Sequence, residues 1–330
     1  MEELLCPWNA PTFLIFSENI PPLLYYSHFL AIIAALLVGI YVFVKTQRSQ
    51  SSQLLLSLFG LFSLWGILDI IIWATNRTDV VMFLWSLVIL IEPVIYVIGF
   101  YLLHMFIYQR YPGFTVNAVI GVLLLPLIAL IPTSLNLIGV NTYDCVANEG
   151  PLALYYTYIL ETLFTLGIVV IAFEGMNIAK DHAEKVKIVY FMVGIIAFLL
   201  AFTSGNIIGS ITEDWELTQY GLFGMPLFIA VLAYLIVHYK VFNLKVFGAQ
   251  ALIVSLVILI GSEFFFIQSD TNRILTAITL IITGAIGINL IRSVKKEIEQ
   301  REHIEKLAGE LQETNERQEG LIHFIGHEVK

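Results

Sequence analysis

The sequence predicts an all-α integral membrane protein: a nine-helix transmembrane bundle followed by a cytoplasmic coiled-coil helix. Three observations carry that expectation. The 330-residue chain is 58% hydrophobic and only 13% charged, with a mean hydropathy of +0.84. A soluble domain needs more polar surface than that to face water. Apolar stretches of about 18 or more residues recur, each able to cross a hydrocarbon core of about 30 Å as a helix. After Ile291 the composition switches abruptly to charged helix formers without proline.

The elements follow in order. Residues 1–22 open with MEELLCPWNAP, which is acidic and has no small-residue cleavage site. This stretch therefore reads as an extracytoplasmic N-terminal segment, not a signal peptide. Spans are expected at 23–44, 53–74, 79–108, 114–133, 151–173, 186–209, 220–238, 249–268 and 272–292. They divide into a seven-helix region over 23–247 and two further transmembrane helices over 248–292. The third is about 45 Å long at 1.5 Å per residue, so it must tilt or project beyond the hydrocarbon. Pro93 inside it predicts a kink.

Loop charges orient the stack. Alternate loops hold Lys45 and Arg48, then Arg110, then Lys180, Lys185 and Lys187, then Lys240 and Lys245. The opposite loops hold only Arg77 and Arg273, with the acidic ITEDWE at 211–216. The positive-inside rule then places the N-terminus outside the cell (plasma) membrane and residues from 292 onward in the cytoplasm. Arg292, Lys295 and Lys296 anchor the last span there. The net charge of −9 argues against nucleic acid as a partner, because phosphate binding needs clustered Lys and Arg.

In the tail, Ile304, Leu307, Leu311, Thr314, Gln318, Leu321 and Ile325 recur at alternating spacings of three and four. This is a narrow coiled-coil seam, and it favours a parallel homodimer. An upstream stripe of Ile291, Val294 and Ile298 breaks phase before Ile304, a stutter-like irregularity. Residues 293–322 form the coiled-coil linker. Residues 323–330, HFIGHEVK, begin a further helix, with His327 just off the seam and Glu328 after it. An exposed imidazole is a nucleophile near neutral pH, and a neighbouring carboxylate can orient it. Surface histidines are common, so the pair alone carries little.

Phe324, His327, Glu328, Val329 and Lys330 together resemble the phosphoacceptor motif of sensor histidine kinases: Phe, two or three variable residues, His-Glu, an aliphatic residue, then Arg or Lys. AYLIVHYKVFNLKVFGAQ at 233–250, and more weakly YDCVANEGPLALYY at 143–156, resemble the seven-helix membrane region of some of these kinases. The resemblance implies that His327 accepts the γ-phosphoryl group of ATP and that Glu328 hydrogen-bonds the imidazole and takes its proton. The phosphoryl group then passes to an aspartate of a cytoplasmic response regulator. ATP and Mg belong to the family's ATP-binding domain, whose Asn-containing and glycine-rich segments do not occur in residues 1–330; nor does a P-loop. These residues are thus expected to hold no cofactor themselves and to serve as a substrate of phosphorylation.

Ionisable residues inside spans are costly and mark functional candidates. They are Asp69, Glu92, His104, Glu161 and Glu263, and no Lys or Arg inside a span is available to pair with them. Asp69, Glu92, Glu161, Asn206 and Glu263 are the candidate sensing pocket for an unknown small-molecule or membrane signal; the bland alternative is helix-to-helix hydrogen bonding. No metal ligands are assigned. Gly205 and Gly209 form a GxxxG spacing that permits close helix approach. Trp73 and Trp215 suit an interfacial belt, and Trp65 and Trp85 suit packing. Cys6 and Cys145, the only two cysteines, both fall on the expected outer side, where a disulfide is permitted. Two further readings compete. A multi-span transporter or channel leaves the coiled-coil tail without a role. A retinal-binding opsin needs a lysine inside a span, and there is none.

Overall fold

The computed structural model describes residues 5–18, 20–46, 48–212, 217–239, 273–274, 276–289 and, singly, 292, 296, 300, 304 and 307. The expected span at 249–268, Glu263, most of the coiled-coil seam, His327 and Glu328 lie outside the described residues.

Among the described residues, five helical segments are long and apolar enough to cross a membrane, as in an all-α, multi-pass membrane protein. Helix α1 is Pro22–Lys45, α2 is Gln50–Ala74 and α3 is Thr78–Tyr108. A π-helical turn, Leu152–Tyr156, leads into α5, Thr157–Ile178, and α6 is His182–Thr212. Shorter apolar helices are α4, Phe114–Leu130, α7, Gly224–Tyr239, and α8, Thr276–Asn289. At 17 residues, α4 reaches about 26 Å, three residues short of the expected span.

Local chemistry sets the ends. Pro22 opens α1 at a position whose backbone N–H would have had no helical acceptor. The Ser49 hydroxyl caps α2 by accepting from the Ser52 amide at 3.3 Å. Asp79 in the first turn of α3 complements the helix dipole. Gln109, in the left-handed region at φ 54°, ends that helix. Pro93 offers no N–H to its turn, yet α3 runs as one helix through it.

Neighbour contacts run α1–α2–α3–α5–α6–α7 and back to α1, closing a ring. Aromatic side chains fill its centre. Phe62 meets Phe198 edge-on at 5.6 Å, Phe198 stacks on Phe228 at 5.9 Å, and Phe59 meets Phe228 edge-on at 5.9 Å. Such pairs contribute about 0.5–1.5 kcal/mol each beyond their burial. Helix α4 stands outside the ring, burying only Ile120 and Leu127. Between α6 and α7 lies a 3-10 segment, Leu217–Phe223. A Cβ on its Gly221 would collide with the Ala201 carbonyl oxygen and lie 3.4 Å from the Gly205 Cα. The close approach at Gly205 is therefore to this segment.

One feature departs from the all-helical expectation. The loop before α5 folds into an antiparallel ribbon of β1, Leu137–Asn141, and β2, Val146–Glu149. Turn chemistry explains it: the Asn141 side chain accepts from the Tyr143 amide at 3.0 Å and donates to Asp144 at 3.0 Å. The ribbon region docks on the first turns of α3. Trp85 donates to Glu149 at 3.1 Å, and Asn136 donates to the Ser86 hydroxyl at 3.4 Å. The early part of α3 is thus tied to this cap.

The N-terminal segment completes the cap. The Cys6 amide donates to the Asn76 carbonyl at 2.7 Å, and the Asn76 side chain donates to the Trp8 carbonyl at 3.3 Å. Cys6 and Cys145 form a disulfide with Cα atoms 5.7 Å apart, within the usual range.

Candidate functional site: a buried polar cluster

Helical spacing gathers the polar residues. Trp65 and Asp69 lie one turn apart on α2, Glu92 and Tyr96 one turn apart on α3, and Thr203 and Asn206 one turn apart on α6, so each pair shares a helix face. Helix α1 adds His28 and α5 adds Glu161. The ring of helices turns these faces toward one another.

Glu92 is 8% exposed. Its Oε1 accepts from the Trp65 indole N–H at 2.9 Å and from the Asn206 amide at 2.8 Å. Glu161 is 2% exposed, and its Oε2 accepts from the Thr203 hydroxyl at 2.7 Å. The Tyr96 hydroxyl donates to the Leu199 carbonyl at 2.7 Å and also meets the Thr203 hydroxyl. A buried polar group without a partner costs several kcal/mol in hydrocarbon. These bonds remove most of that cost and tie α2, α3, α5 and α6 together.

Asp69 is satisfied separately. Its Oδ2 lies 2.8 Å from the Nε2 of His28, whose Nδ1 lies 2.8 Å from the Leu24 carbonyl. The imidazole stacks on Trp65, with centroids 6.0 Å apart and planes 8° apart. Trp65 therefore touches both halves of the cluster, through its face to His28 and through its N–H to Glu92.

Of the residues singled out in the sequence, Asp69, Glu92, Glu161 and Asn206 come together here. Glu263, His327 and Glu328 lie outside the described residues, and the two cysteines are in the cap. His104 is apart: its Nδ1 lies 2.9 Å from the Arg110 carbonyl at the other end of α3. Sequence reasoning missed four members. His28 had a usable signal, an ionisable group inside the first span, but nothing to link it with a carboxylate 41 residues away. Trp65 read as packing, and Tyr96 and Thr203 are too common in apolar helices to stand out. Among the described residues, no group of three or more His, Cys, Asp or Glu side chains is placed to hold a metal ion. No protein-family model, curated protein or solved structure matches the chain.

The Trp65 bond has a measurable weight. Trp65→Phe keeps an aromatic ring and removes the indole donor, leaving Glu92 Oε1 with Asn206. A loss of about 1–3 kcal/mol is expected, read as a lower midpoint in detergent thermal unfolding. An unchanged midpoint would show that the bond adds nothing.

Proposed function

We propose that the chain is the membrane sensor and the start of the phosphoacceptor region of a two-component sensor histidine kinase. The observation that carries this reading is the motif Phe324, His327, Glu328, Val329, Lys330 at the end of a heptad seam that leaves a membrane bundle. The buried cluster supports the sensing half. It joins α1, α2, α3, α5 and α6, so a change at one carboxyl acts on several helix contacts together. Ile304 and Leu307, two seam positions, are helical and exposed in the single chain, which supports a homodimer that covers them.

In this reading, a small-molecule or membrane signal alters the packing of the bundle, and the last span passes the change to the paired coiled coils. His327 then takes a phosphoryl group from ATP, with Mg, held by an ATP-binding domain of the family. The Nε2–phosphorus or Nδ1–phosphorus bond forms as the bond to ADP breaks, and Glu328 takes the imidazole proton. A response regulator aspartate receives the phosphoryl group next. The direct test joins an ATP-binding domain of the family after Lys330 and asks whether the chain acquires acid-labile, base-stable phosphate. Absence of such label in an otherwise ATP-binding fusion would refute the reading.

Nine spans with the N-terminus outside belong to the same proposal. A reporter active only in the cytoplasm, placed after residue 48, 183 or 296, should give signal, and one placed after residue 146 should give none. Signal at 146 would invert the arrangement.

A further inference from the structure

The donors of the buried cluster are committed. The Trp65 indole and the Asn206 amide go to Glu92, the Thr203 hydroxyl goes to Glu161, and the Tyr96 hydroxyl reaches the Leu199 carbonyl. One acceptor is left over: Glu161 Oε1 is buried and has no hydrogen-bond partner. The charges do not balance either. The imidazole beside the cluster among the described residues, His28, is taken by Asp69. Among the described residues, no fixed cation pairs with the two carboxyls on the facing helices α3 and α5. Two such charges in hydrocarbon carry a large desolvation cost and repel each other. What the site still lacks is therefore positive and small.

We propose that Glu92 and Glu161 together form a proton-binding site inside the membrane bundle, with the bound proton on a Glu161 or Glu92 carboxyl oxygen. Binding forms one O–H bond to a carboxylate oxygen, and the proton comes from water. With the proton in place, the carboxyl gains a donor and the pair carries at most one charge. Without it, two like charges lie on α3 and α5, held only by Trp65 and Asn206 at Glu92 and by Thr203 at Glu161 among the donors described. Proton occupancy thus sets how tightly α3, α5 and α6 pack.

The titratable groups close enough to act on Glu92 through space are Glu161 on α5, Glu149 on β2 and Asp69 on α2; Tyr96 on α3 is near both carboxyls and Tyr158 on α5 is near Tyr96, with His28 on α1 bonded to Asp69. At this level α6 contributes the uncharged Thr203 and Asn206. The site does not depend on phosphotransfer: it stands or falls on the carboxyls, and the phosphate-labelling test reports separately on the kinase reading.

The test is infrared difference spectroscopy of the full chain in lipid nanodiscs, comparing buffer at about pH 6 with buffer at about pH 9, both above the range in which exposed carboxylates titrate, in water and in deuterium oxide. The wild type should show a pH-dependent, deuterium-sensitive C=O stretch of a protonated carboxyl. Glu161→Gln or Glu92→Gln should remove it, and Asp69→Asn should leave it. Thr203→Val keeps both carboxyls and the side-chain volume, so it should move the band without removing it, and it serves where a Gln variant fails to fold. No such band in the wild type, a band surviving both Gln variants, or a band unmoved in Thr203→Val would overturn the assignment. So would loss of the band on adding sodium at fixed pH, which would make the ligand a metal cation.

Discussion

Changing His327 to Gln is expected to remove all acid-labile, base-stable phosphate from the chain when it is joined to an ATP-binding domain. Gln keeps the length and polarity of the side chain but has no nucleophilic ring nitrogen, so the effect is complete rather than graded. His303 and His323 lie in the same tail and supply the control, because His303→Gln and His323→Gln should leave labelling intact. Glu328→Ala should leave the imidazole in place and slow transfer by roughly 10² to 10⁴, the usual contribution of general-base help. The measurement is single-turnover transfer from labelled ATP. Label that survives in the His327 variant would remove the phosphoacceptor from the proposal.

The second large effect is expected in the cap. The Cys6–Cys145 bond closes a sequence separation of 139 residues. The chain-entropy model assigns such a loop about 4–5 kcal/mol, and a bilayer already confines the unfolded helices, so a loss of about 2–4 kcal/mol is expected. Both cysteines are buried, so the double variant Cys6→Ala/Cys145→Ala is a cleaner probe than reductant. Its thermal midpoint in detergent should fall well below that of the wild type. The N-terminal segment should become more accessible to protease, since the bonds through Asn76 and the Leu5–Arg77 bridge would then tether Cys6's neighbours without the covalent link. Equal midpoints, or labelling of the wild-type thiols without reductant, would show that the bridge does not stabilise the cap.

Several features were legible in the residues alone. Long apolar runs can satisfy their backbone in oil only as helices, so the positions of α1, α2, α3, α5 and α6 follow from composition. The starts of α1 and α2 are set by Pro22 and by the Ser49 cap, signals that the expected spans from 23 and 53 did not use. A carboxyl inside a span is costly enough to stand out one residue at a time, which made Asp69, Glu92 and Glu161 visible. The ribbon was not legible, because its Asn141 turn is a short signal inside a loop that also suits irregular structure. The partners of the carboxyls were not legible either. His28 and Asp69 are 41 residues apart, Trp65 and Glu92 are 27 apart, and Asn206 and Glu92 are 114 apart. Helical periodicity says which residues share a face of one helix, but only the order of helices around the ring says which faces meet. That order is set by how the central phenylalanines and the glycine contact at Gly221 pack, a property of all the helices together. The sequence by itself determined that buried carboxyls would need partners, and the tertiary structure alone decided that a tryptophan, an asparagine, a threonine and a histidine would supply them.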